Sequence, residues 1–260
     1  TPADTGIYTS DELINALNIE KNSNLFGFST AEKTRQLAQQ FPYLEQVQVE
    51  VQLPATVVVK VQPAVERFAC MYSGGWMVLS DSLKILRTDV NQPDGLILLS
   101  IALPTDFAPT VGQNITPESY NSLLGGEQAT AETAGLQASA MQILTEMLNG
   151  LQTYNLFDGT TAISVQDLSD IEFTYQNRVQ VKLGSETNLA YKLRLAAAAL
   201  ADPEKGLAAS DKGVLDISNQ QSNGDIRAYF APDEPAPTPA PEPTATPEPE
   251  EEETLANTAE

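Results

Sequence analysis

The 260-residue chain contains no histidine. That absence removes the commonest general base, any Ser-His-Asp triad and any histidine-ligated metal. A single cysteine, Cys70, excludes an internal disulfide. Positive charge is scarce: 14 Lys+Arg stand against 35 Asp+Glu, a formal net charge of −21. A chain that acidic does not coat a nucleic-acid backbone, which needs Lys/Arg patches to release counterions. Nor does electrostatics hold it flat on an anionic lipid surface. No apolar run reaches the roughly 18 residues of a membrane span. The chain opens on Thr1 with no signal-peptide pattern, so Thr1 is expected to be a cut end. Chemistry by carboxylates stays open.

The charge is uneven. Residues 231–260 hold nine acids, no base and eight of the 17 prolines. Proline fixes φ and removes donors, and the glutamate run repels itself. Residues 232–260 are therefore expected to be a disordered, acidic, Pro-rich tail.

Ahead of the tail, the text divides in two. Ser10 is the expected N-cap of a first helix bearing Leu13, Ile14 and Leu17. Ser29 with Glu32 has capping-box spacing and opens a second, which stops near Phe41-Pro42. Val47, Val49 and Val51 alternate with polar neighbours, Val57, Val59 and Val61 alternate around Val58 and Lys60, and together they predict a hairpin. After Pro63 short strands follow, over 65–72, 76–79 and 84–87, with an apolar run at 96–103. Residues 104–134 read as loop. Leu136, Ala140, Ile143, Leu144, Met147 and Leu148 predict an amphipathic helix over 136–148, with Gly150 as its stop. Strands 162–165, 171–175 and 179–183, a helix over 189–200, and strands 213–217 and 225–230 complete the pattern.

Few residues invite chemistry. Asp167 and Asp170, with Glu172, form a carboxylate group; it reads as an acid/base pair or a calcium cluster, or as a solvated turn. Cys70 lies in an apolar strand and reads as a buried thiol. No serine stands in a nucleophile elbow or a Ser-x-x-Lys spacing, and no glycine pair opens a phosphate cradle. Tyr229 and Phe230, on the last strand, either pack into their own core or mark an edge open to a partner.

The order of elements resembles the extracytoplasmic part of the FtsQ/DivIB family of bacterial cell-division proteins, which carry a short cytoplasmic tail, one transmembrane helix, a POTRA domain and a β domain. The matching phrases are YTSDELINALNI and NSNLFGFSTAEKTRQLAQQFPYLEQVQVEVQLPATVVVKV, then WMVLSDSLKIL, ISVQDLSDIEFTYQNRVQVKLGSETNLAYKLRLAAAAL and KGVLDISNQQ. The resemblance covers residues 6–230, and its motifs are individually loose. Gln62 stands where the family commonly carries Glu at the junction of the two domains. Leu83 stands where many members carry Gly, which implies a different turn type. The family's first POTRA strand falls just before Gly6, so it is expected to be shortened.

The expectation is an α+β chain: a POTRA-like unit over 1–62, a larger, mostly antiparallel β domain with two helices over 63–231, and the tail. The resemblance implies a non-enzymatic scaffold without cofactor or metal, at the extracytoplasmic face of the cytoplasmic membrane at the septum. Its membrane link would be a helix upstream of this chain. The implied partners are FtsB/DivIC-like and FtsL-like proteins, and through them the septal peptidoglycan synthase. Binding would occur by strand addition at Ile226, Arg227, Ala228, Tyr229 and Phe230. Ile226, Ala228 and Phe230 would share one face, Arg227 and Tyr229 the other. The alternative is a carboxylate-dependent cell-wall hydrolase or a glycan-binding module.

Overall fold

A computed structural model describes residues 6–19, 27–115, 131–201, 206–219 and 225–233. The shortened first strand expected before Gly6, and the tail beyond Asp233, lie outside the described residues.

Helix α1 (Ser10–Leu17) is capped by Thr9 rather than Ser10. Thr9 and Glu12 close a reciprocal capping box, so the acid three residues on decides which hydroxyl serves as the cap. Helix α2 (Thr30–Gln40) opens on Ser29, whose hydroxyl accepts from the Glu32 N–H at 3.3 Å. Strands β1 (Leu44–Gln52) and β2 (Thr56–Pro63) form an antiparallel two-stranded sheet. In its register Val47 faces Val61, Val49 faces Val59 and Val51 faces Val57. Val47, Val49, Val57, Val59 and Val61 close over Leu13, Leu17, Leu37 and Phe41 in a small apolar cluster.

The rest builds one nine-stranded sheet. Its strands are β3 (Phe68–Tyr72), β4 (Gly75–Leu79), β5 (Ile85–Asp89), β6 (Ile97–Ser100), β7 (Thr160–Ser164), β8 (Ile171–Tyr175), β9 (Val179–Gly184), β10 (Gly213–Asp216) and β11 (Tyr229–Pro232). They lie in the order β11-β10-β9-β8-β7-β6-β3-β4-β5. Five of the eight pairings are antiparallel; β3–β6, β6–β7 and β9–β10 are parallel. One row of register partners crosses the sheet: Phe230, Leu215, Val181, Phe173, Ile163, Leu99, Cys70 and Met77. All belong to the large core, to which α3 (Ala131–Thr153) and α4 (Leu189–Ala201) add Leu144, Met147, Leu151, Leu193 and Ala196. Burial pushes the Cys70 thiol up to about 12. The opposite face carries a charged row, Glu172, Lys182, Asp216 and then Tyr229.

Several boundaries differ from expectation. Helix α3 starts five residues early and continues through Gly150, which is not a stop. A Cβ at Gly150 would strike the Leu193 side chain, so the glycine lets the two helices close together. Leu83 takes φ +61, a left-handed conformation that glycine adopts without cost. Its buried side chain joins the large core and offsets that strain.

The two apolar clusters are separate, and polar contacts join the two units. The Ala64 N–H donates to the Tyr43 carbonyl at 2.9 Å. The Tyr43 hydroxyl donates to Glu66 at 2.6 Å, and Arg87 grips the same carboxylate at 2.7 and 3.0 Å. Arg87 also pairs with Asp89. The junction ion pair thus uses Glu66, with Gln62 outside it. Lys84, 3% exposed, reaches from the large unit into the small one. Its Nζ donates to the Leu44 carbonyl at 2.7 Å and the Ala38 carbonyl at 3.3 Å. The helical partner of Ala38 would be residue 42, a proline with no N–H, so Lys84 satisfies a carbonyl the helix cannot.

Candidate functional site

The last strand is displaced from its expected position. It runs from Tyr229 to Pro232, not from Asp225 to Phe230, and so includes the residue at which the tail is expected to begin. The cause lies in its neighbour β10, which ends at Asp216 rather than Ile217. The Asp216 carboxylate accepts from the Ser218 N–H at 2.8 Å and its hydroxyl at 2.6 Å, turning the chain away. Nothing of β10 remains to pair with residues before Tyr229.

The five expected site residues separate accordingly. Ile226 is buried and belongs to the large core. Arg227 and Ala228 are exposed and precede the strand. Ala228 therefore does not share a strand face with Ile226 and Phe230 as expected, because it lies outside the strand. Phe230 is half-buried against the core, while Tyr229 is 70% exposed on the charged face. Strand β11 is the terminal strand of the nine, and no described strand lies on its outer side.

Register determines which main-chain groups face outward. The N–H of Gly213 donates to Arg178 and that of Ile217 to Lys182, so odd-numbered residues of β10 turn to β9. The Asp233 N–H donates to the Lys212 carbonyl at 2.9 Å. Alternation in an antiparallel ladder then turns Tyr229 and Ala231 inward to β10 and Phe230 and Pro232 outward. Gly213 makes the close approach possible: it takes φ +151, and a Cβ there would collide with the Ala231 carbonyl oxygen.

The carboxylate group gives a different picture. Asp167 accepts from the Ser169 N–H at 2.8 Å and the Ser169 hydroxyl at 2.6 Å. These bonds hold its carboxyl below the usual range, whereas a general acid must stay protonated. Glu172 accepts from Gln180 across the sheet. Asp167 thus serves a turn and Glu172 a cross-strand pair. A cleft of about 440 Å³ opens elsewhere, lined by Glu66, Arg67, Asp94, Phe157 and Asp158 among others. There Arg67 stacks over Phe157 and pairs with Asp81 at 2.8 Å. Among the described residues no helix is long and apolar enough to cross a membrane.

No curated protein matches the chain. Residues 5–62 match the family model described as POTRA domain, FtsQ-type, and this match supports assignment of the chain to the FtsQ/DivIB family of cell-division proteins.

Proposed function

We propose that the chain is a non-enzymatic scaffold of the bacterial divisome on the extracytoplasmic face of the cytoplasmic membrane, anchored by a helix upstream. It binds FtsB/DivIC-like and FtsL-like single-span proteins by addition of a strand to β11, and through them engages the septal peptidoglycan synthase. The observation that carries this reading is the open terminal strand of a nine-stranded sheet in a chain with an FtsQ-type POTRA domain. An unpaired edge offers main-chain donors and acceptors to an extended segment. The net charge of −21 favours a basic or neutral one.

Tyr229 is the anchor, because it is the large exposed side chain on β11 and tyrosine is frequent among interface hot spots. Tyr229→Ala is expected to weaken binding of an FtsB- or DivIC-like ectodomain by about 2 kcal/mol in a calorimetric titration. Its melting temperature should stay near that of the parent. Unaltered affinity would remove the reading.

A further inference from the structure

Resting on that reading, we infer that Pro232 sets the register and direction of the added strand, and that the segment it admits carries an apolar residue followed directly by Lys or Arg. The outward edge of β11 offers three groups: the N–H and C=O of Phe230 and the C=O of Pro232. Proline has no N–H, which is why it is tolerated on the open side of an edge strand. A segment can therefore form one complete hydrogen-bonded pair, with Phe230, and donate one further bond to Pro232.

Direction follows. In an antiparallel addition the carbonyl opposite Pro232 finds no donor, but it lies at the end of the segment, where water reaches it. In a parallel addition the orphaned carbonyl falls between two N–H groups already bonded to Phe230 and Pro232, inside the ladder. A carbonyl unpaired there costs more, and antiparallel pairing is the more stable of the two.

Side-chain chemistry follows from the same register. The residue opposite Phe230 continues the row that ends Val181, Leu215, Phe230, so an apolar side chain covers the exposed part of that ring. The next residue faces Tyr229, whose own main-chain groups turn inward, so the two side chains meet in a close non-hydrogen-bonded pair. It extends the row Glu172, Lys182, Asp216, Tyr229. A cation there stacks on the exposed phenol ring and faces the Asp216 carboxylate beyond it. A second copy of this chain is a poor occupant: each copy carries a net charge of −21, and each would bring its own Pro232.

The test uses the full chain and the ectodomain of an FtsB- or DivIC-like protein from the same genome. Amide exchange on the chain alone should find Phe230 fast and Ala231 slow; the ectodomain should then slow Phe230. Pro232→Ala restores the missing donor and should tighten binding about fivefold, the effect of one added hydrogen bond. If Tyr229→Ala weakens binding while Pro232→Ala leaves it unchanged and the Phe230 amide stays fast, the register is wrong and binding at this edge stands. If neither variant alters affinity, strand addition at β11 fails as well. Protection of Phe230 that grows with the concentration of the chain alone would make a second copy the occupant and overturn the proposal.

Discussion

Lys84 illustrates a residue whose role is set by what its neighbours lack. Its ammonium serves two carbonyls of the small unit, those of Ala38 and Leu44. Burial lowers its pKa, opposed by the nearby Glu45 carboxylate. Lys84→Met keeps the stem and removes both donors. Each buried carbonyl left unpaired costs about 1–3 kcal/mol, so a loss of about 2–6 kcal/mol is expected. A urea titration should show a lower midpoint with an unchanged slope; an unmoved midpoint would mean water replaces the ammonium. This contact is not legible in sequence, because the partners lie 46 and 40 residues away and are backbone atoms. Leu83 is hidden for a similar reason: only the fold shows that its buried side chain offsets a left-handed backbone. Cys70, in contrast, was readable as a buried thiol from its apolar strand.

At the scale of elements, local pattern was a good guide to type and a poor one to ends. The valine alternation of the hairpin survives residue by residue in the β1–β2 register, since a slip of one position would turn a strand's inward set of valines to solvent. The length of α3 was missed because Gly150 normally ends a helix, whereas here it answers to Leu193 on another helix. The bounds of β11 were missed because Asp216, on its neighbour, ends the pairing. Gly213 reads in sequence only as the start of a strand, yet it holds β11 in place. Gly213→Ala adds a Cβ where the Ala231 carbonyl oxygen lies, at φ +151. Such backbone strain costs about 1–3 kcal/mol, and the easiest relief is release of the four-residue edge strand. Amide exchange at Ala231 should accelerate while amides of β8 and β9 keep their rates. Slow exchange at Ala231 in this variant would show that the sheet shifts as a whole instead.

For the whole molecule, the order of helices and strands was legible, and it carried the family resemblance. The sheet order was not, because three parallel pairings bring together strands separated by other elements. Nor was the character of the join between the two apolar clusters. The small cluster rests on a two-stranded sheet and two short helices, an assembly that is marginal by itself. Its coupling to the large unit is therefore expected to govern when it melts. Arg87 and Tyr43 hold the Glu66 carboxyl below its ordinary value of 4.5. A carboxylate so lowered adds stability that is fully present above 4.5 and lost as pH falls through the lowered value. Comparing the parent with Glu66→Gln at each pH cancels the other carboxylates. The pair is partly exposed, with 37% and 30% of its side chains open to solvent, so about 1 kcal/mol is its ceiling. In scanning calorimetry the parent should melt up to about 4–8 °C above Glu66→Gln at neutral pH, the shift that about 1 kcal/mol makes in a unit of this size. That gap should lie in the earliest transition, where the small unit opens, and close as the solution is acidified below the ordinary carboxylate range. A gap that persists unchanged in acid would mean Glu66 acts through packing rather than charge. Equal melting of the two proteins at neutral pH would mean the Arg87–Glu66–Tyr43 bridge leaves the units uncoupled.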